Sequence, residues 1–239
     1  MNLMTLIFLL SLFCSIIFLA YITIYKRYSL HKITTPQEAL QELIQGNKEY
    51  NSFWNFTKRA NRKSVATIQR PFAIVLSCSD SRVPTEIIFN QLNLGSLFIV
   101  RNAGNVIDGA ALGSIEYGVE QLGALLIIVL GHERCGAITA TIDSILTHSP
   151  EQHGHIKTII NAISPAAENV LHKNNIDSII INEDKKIDII NETVKENIRI
   201  VIKTLYEKSH IITAAASLGK IKIVGAYYDL GDGNVKILN

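Results

Sequence analysis

Charged side chains are absent from Met1 to Tyr25, a run made mostly of Leu, Ile and Phe. At 1.5 Å of rise per residue, a helix of that length about covers a ~30 Å hydrocarbon core. Residues 1–25 therefore read as a transmembrane helix that anchors the chain. A cleavable signal peptide fits less well, since no Lys or Arg precedes the run and no small-x-small cleavage site follows it. Residues 26–35 form a basic linker, and its Lys26, Arg27 and Lys32 would hold that end, with the domain after it, on the cytoplasmic side of an inner membrane. The periplasmic orientation is the alternative.

Beyond the linker, Thr35-Pro36-Gln37-Glu38 has the form of a capping box and predicts a helix start. Leu40, Leu43 and Ile44 give that helix an apolar stripe, and Gly46-Asn47 supplies residues that tolerate the left-handed turn ending a helix. The segment from Lys58 to Arg70 is basic and polar and reads as a connection. Phe72 to Leu76, Leu97 to Val100, Leu125 to Leu130 and Ile221 to Ala226 are short unbroken apolar runs, as expected of strands covered on both faces. Helical spacing alternates with them over Ala110 to Leu122, Gly136 to Leu146, Ile156 to His172 and Asn191 to Ser209. The stretch from Lys173 to Glu192 carries no clear period and reads as loop and helix edges. Strand alternating with helix predicts an α/β domain over 36–239, a central mostly parallel β-sheet flanked by helices. Val235 to Leu238 would pair with the last run across Gly231-Asp232-Gly233.

A chain of 239 residues, 48% hydrophobic, has room for one membrane segment and one well-buried domain. The formal net charge of +2 is too small, and the basic residues too scattered, for the footprint of a nucleic-acid binder. Of the 3 cysteines, Cys14 lies in the apolar N-terminus, so no pair is left over for a structural disulfide once Cys78 and Cys135 are assigned elsewhere.

That assignment is a metal. Cys78 and His132 each follow an apolar run by two residues, and ligand groups in open α/β sheets gather just beyond the carboxyl ends of strands. If the two strands are neighbours, the ligands meet at one sheet edge, and Cys135, three residues after His132, returns to the same point. Two thiolates and an imidazole are ligands that Zn2+ takes, one ion per subunit, with a fourth position that decides between catalysis and structure. Asp80 and Arg82 flank the first thiolate and are spaced to form a bidentate pair that keeps the carboxylate ionised. Asp80 then either fills the fourth position or orients a zinc-bound water.

Cys78-Ser79-Asp80-Ser81-Arg82-Val83-Pro84, Arg101-Asn102-Ala103-Gly104-Asn105 and Gly131-His132-Glu133-Arg134-Cys135-Gly136-Ala137 together resemble the β-class carbonic anhydrases. The likeness extends to Gly46-Asn47, Ser114-Ile115-Glu116-Tyr117 and Gly225-Ala226-Tyr227-Tyr228-Asp229, in family order. It implies reversible hydration of carbon dioxide to bicarbonate and a proton, in a homodimer or dimer of dimers with each active site near a subunit interface. Cys78, His132 and Cys135 match the zinc ligands, with Asp80 a candidate fourth ligand at low pH, and Asp80 and Arg82 match the catalytic dyad. Gln69 matches a glutamine that donates to a substrate oxygen, Phe98, Ala103 and Tyr117 match pocket residues, and Gly136 matches the glycine after the last ligand. Some relatives carry a second bicarbonate site built on a Trp just before the first Cys. Phe72 to Ser77 has none, so the resemblance implies an open zinc at neutral to alkaline pH and activity that rises with pH.

Two readings from other classes compete. The ligand set alone also suits a non-catalytic zinc-stapled scaffold with Asp80 as permanent fourth ligand, although a structural site has no need of the Asp80–Arg82 dyad. A redox pair of Cys78 and Cys135 lacks the Cys-x-x-Cys spacing. His148, His153 and His155 cluster beside Pro150 and Gly154, and read as an exposed loop.

Overall fold

The computed structural model describes residue 15 and residues 33–50, 65–147, 154–177 and 182–238. The expected anchor, most of the basic linker, His148 and His153 lie outside the described residues. Among the described residues no helix is long and apolar enough to cross a membrane. The chain divides into Met1–Ile33 and Thr34–Asn239, and all that follows concerns the second unit.

Among the described residues five strands, β1 (Ala73–Cys78), β2 (Leu97–Asn102), β3 (Leu126–His132), β4 (Lys222–Tyr228) and β5 (Val235–Leu238), form one sheet in the order β2-β1-β3-β4-β5. The first four are parallel and β5 runs antiparallel to β4. Every residue of β1 and β3 is buried, which is why these strands read as unbroken apolar runs rather than alternating ones. The helices are α1 (Pro36–Tyr50), α2 (Thr85–Ile88), α3 (Gly109–Glu120), α4 (Gly136–Leu146), α5 (Ile156–Lys173), α6 (Glu183–Lys208) and α7 (His210–Ser217). This is the expected α/β architecture, with both central strands under helices.

The capping box forms at the start of α1: the Glu38 amide donates to Thr35 Oγ1 at 3.2 Å and the Thr35 amide donates back to the Glu38 carboxylate at 3.1 Å. The expected helix end at Gly46-Asn47 is corrected, because α1 continues to Tyr50. Gly46 is there for space: a Cβ at this position would lie 1.8 Å from the Phe89 carbonyl oxygen. Asn47 is buried, donates to the carbonyls of Ile88 and Gly233, and accepts from the Val235 amide at 3.0 Å, so it ties α1 to the β4–β5 hairpin.

The reading of 173–192 as loop is corrected from Glu183 onward. Asn182 accepts from the Lys185 amide at 2.8 Å and starts α6 eight residues before its apolar period becomes regular. Helix α6 packs hard on the sheet where glycines leave room, since a Cβ on Gly131 would lie 2.6 Å from Val194 Cγ1 and one on Gly225 would lie 2.8 Å from Ile198 Cγ2. Gly131 immediately precedes His132, so the closest approach of α6 to the sheet falls beside a candidate ligand.

Candidate metal centre

Strands β1 and β3 are neighbours, and their last residues are Cys78 and His132. Parallel pairing brings the two side chains to the same carboxyl-end edge. After β3 the chain turns through Glu133 and Arg134, the latter held at φ 50. Cys135 then caps α4 from an extended conformation. The ligand atoms of Cys78, His132 and Cys135 lie within 4.8 Å of one another, and all three residues are buried.

The donor set was tested against a tetrahedral zinc. The two sulfurs stand 3.9 Å apart, close to the ~3.8 Å that two Zn–S bonds of about 2.3 Å impose at a tetrahedral angle. His132 Nδ1 lies 2.9 Å from the Glu133 carbonyl oxygen and donates to it, which leaves Nε2 as the lone-pair nitrogen. That Nε2 is wholly buried with no hydrogen-bond partner. An orphaned imidazole nitrogen beside two thiols costs stability unless something accepts its lone pair, and a backbone carbonyl on the other ring nitrogen is the usual way a metal-binding histidine is oriented. The residues fit the ion.

The sulfurs are prepared for it. The Cys78 thiol is drawn well below its ordinary range, first because Cys135 donates to the thiolate and then through His132 and the amides of Gly104 and Asp80. Cys135 is pushed upward by the same shared proton and by burial, against the pull of the Ala137 and Ile138 amides at the start of α4. A cation is bound by thiolates, so its binding displaces thiol protons.

Asp80 sits beside this cluster, its Oδ2 3.9 Å from His132 Nε2. Arg82 holds it in the expected bidentate pair: Nη2 donates to Oδ2 at 2.8 Å and Nε to Oδ1 at 3.0 Å, while the Arg82 amide donates to Oδ1 at 2.9 Å. The guanidinium bonds, more than any other contact, hold the Asp80 carboxyl well below the usual carboxylate range. Both carboxylate oxygens are thus committed to Arg82, turned toward the cluster without belonging to it.

In the Arg101-Asn102-Ala103-Gly104-Asn105 segment, Arg101, Asn102 and Gly104 each take a role that their spacing alone does not reveal. Arg101 donates from Nε to the Cys78 carbonyl at 3.1 Å and from Nη2 to the Asp80 carbonyl at 2.9 Å. Asn102 bridges both backbone groups of Val106 across the single 3-10 turn Ala103–Asn105. Within that turn Gly104, at φ +74, aims its N–H at Cys78 Sγ, 3.4 Å away. The signal available in the sequence was a Gly-Asn pair, Gly104-Asn105, directly after an apolar run, which marks a turn but not what the turn faces.

The remaining expected residues are more dispersed. Ala103 is half-buried next to Gly104, and Gly136 is exposed as the first residue of α4. Gln69 is exposed just ahead of β1. Phe98 and Tyr117 pack against each other, ring centroids 6.2 Å apart. Phe98 pairs in register with Ile74 while Asn102 pairs with Cys78, so the aromatic pair lies four strand residues, about 13 Å, from the level of the cluster. His155, of the three clustered histidines, is exposed just before α5.

A family model described as carbonic anhydrase matches residues 73–235. A carbonic anhydrase of Mycolicibacterium smegmatis is 38% identical over 176 residues, 74% of this chain and 79% of its own length. Carbonic anhydrase 2 of Mycobacterium tuberculosis is 35% identical over 203 residues, 84% of this chain and 91% of its own. Among solved structures, a Coccomyxa β-carbonic anhydrase in complex with acetazolamide superposes with a TM-score of 0.61 at 27% identity, covering 84% of this chain and 82% of that one.

Proposed function

The chain belongs to the β-carbonic anhydrases, enzymes whose general reaction is the hydration of carbon dioxide, and on that footing we propose that it runs this reaction, reversibly to bicarbonate and a proton, at a zinc ion held by Cys78, His132 and Cys135. The observation that carries the zinc is the buried, unpartnered His132 Nε2 facing two thiols 3.9 Å apart. When bound, Zn2+ supplies Lewis acidity that makes water a nucleophile near neutral pH.

The chain's own residues do the rest. Asp80, ionised and fixed by Arg82, stands where it can accept a hydrogen bond from the attacking water and so set its direction. Arg82 also lies within 3.4 Å of the Arg134 carbonyl, which braces the dyad against the turn that carries Cys135. Because Arg82 occupies both Asp80 oxygens, the carboxylate is held back from a fourth ligand position. This favours an open catalytic site over a scaffold stapled by Asp80. Protonation of Asp80 or loss of Arg82 would release it.

Gln69, Phe98 and Tyr117 are assigned to substrate binding across a subunit boundary. Tyr117 is 48% exposed beside β2, which forms one edge of the sheet, and a second copy docked on that edge would bring these residues to its own or its neighbour's cluster. The assembly is a homodimer or a dimer of dimers. Residues 1–25 are assigned as a membrane anchor, with the domain in the cytoplasm.

Stopped-flow hydration of carbon dioxide tests the central reading. Parent protein with one zinc per subunit turns over, at a rate that rises between about pH 6.5 and 9. Inactivity of zinc-replete protein, or a rate that is flat or falls across that range, rules the reading out.

A further inference from the structure

The segment that presents an N–H to the Cys78 sulfur is itself held from the far side of the domain. Asn197 lies in the middle of α6, 93 residues from Gly104 along the chain, and donates from Nδ2 to the Gly104 carbonyl oxygen at 3.0 Å. Asn197 is 2% exposed. No motif included it. A polar side chain so deeply buried on a mostly apolar helix face, between Val194, Ile198 and Val201, is costly to keep, so its bond to Gly104 needs a reason.

The geometry supplies one. Gly104 has its N–H on the sulfur and its C=O on Asn197, and it holds a φ of +74 in a tight cavity, within the turn that Asn102 bridges. A Cβ there would lie 2.6 Å from Ile163 Cδ1 and 3.2 Å from Ala137 Cβ, so α5 and α4 close the turn from two sides while Asn197 closes it from the third. With the amide gone, the Gly104 carbonyl has no donor in a buried site and the turn rotates to find one. That rotation carries the N–H away from the sulfur.

We propose that Asn197 is a positioning residue for the metal centre: it fixes the Gly104 turn so that an N–H···S hydrogen bond is held on Cys78, restraining the thiolate and raising its grip on the ion. The inference rests on the zinc reading above, but it is tested separately. Hydrogen bonds to metal ligands commonly change metal affinity by about 10–100-fold.

Asn197→Leu keeps the number and branching of side-chain heavy atoms and removes the donor. Val201→Ala, a cavity one helical turn along the same buried face, controls for loss of stability. Zinc release to a chromogenic chelator is followed in parent and both variants, at a temperature the same interval below each protein's unfolding midpoint. The expected result is that Asn197→Leu releases zinc at least about tenfold faster than Val201→Ala, with a shifted sulfur-to-metal charge-transfer band after Co2+ substitution. Equal release rates and superimposable Co2+ spectra in the two variants overturn the proposal. If Asn197→Leu does not fold, Asn197→Ala, which also removes the donor, is read in the same assays against the same two outcomes. In parent protein loaded with 113Cd, a metal-to-amide-proton coupling at Gly104 is expected, and its absence also overturns the proposal. A parent that binds no zinc at all sinks the zinc reading instead, and is recognised before any variant is compared.

Discussion

At the scale of single residues, Asp80 is where geometry and charge make the sharpest demand. Its pKa is depressed by Arg82, so the ion pair stabilises the folded chain above the ordinary carboxylate pKa of about 3.9 and that contribution fades as pH falls toward the folded-state value. Denaturant unfolding of parent and Asp80→Asn should therefore differ most at neutral pH and converge as the solution is acidified to about pH 2. A gap that widens on acidification contradicts the assignment. The same variant should keep its zinc, since Asp80 stands beside the three-ligand cluster rather than within it, yet lose about 10²–10⁴-fold in hydration rate, because a neutral amide is a weaker acceptor than the carboxylate and cannot take up a proton. Cys78→Ser should fail earlier, at metal retention, as measured by metal analysis after dialysis. Zinc at one per subunit in that variant would remove Cys78 from the ligand set.

At the scale of elements, what was legible in the sequence depended on whether a residue's reason was local. The start of α4 and the Asp80–Arg82 pair follow from short spacings and stand where the pattern put them, while β1 and β3 run two residues past the ends of their apolar runs, so that Cys78 and His132 are the last strand residues rather than residues beyond the strands. Gly46 misled because its meaning is a distance to Phe89, 43 positions away, and local turn chemistry offered a cheaper explanation. Arg101 and Asn197 were invisible as site residues for the same reason: each acts on a backbone carbonyl that only the fold brings near. The Gly46 correction has a consequence. Gly46→Ala should destabilise the domain by about 1–3 kcal/mol, although alanine ordinarily favours a helix interior over glycine by roughly 1 kcal/mol. A stabilised variant in denaturant titration would mean that α1 ends where the sequence pattern first suggested.

At the scale of the whole molecule, the sheet is closed at one end by the short antiparallel β5 and left with β2 at the other. Strand β2 is only partly buried along most of its length, and among the described residues no strand pairs with its outer side, an edge that invites a second copy. Sedimentation of the protein is expected to give a dimer or a multiple of one, and a strict monomer with full hydration activity would contradict the placement of Tyr117 in a shared pocket.

The central claim is that one zinc is gripped by two sulfurs and one imidazole, with its remaining position outside the reach of Asp80. Zinc K-edge X-ray absorption at about pH 8 addresses it most directly. The account predicts two sulfur scatterers at about 2.3 Å and two nitrogen or oxygen scatterers at about 2.0–2.1 Å, in a spectrum that Asp80→Asn leaves unchanged. A first shell with fewer than two sulfurs, or one that loses an oxygen when Asp80 is replaced, would contradict it.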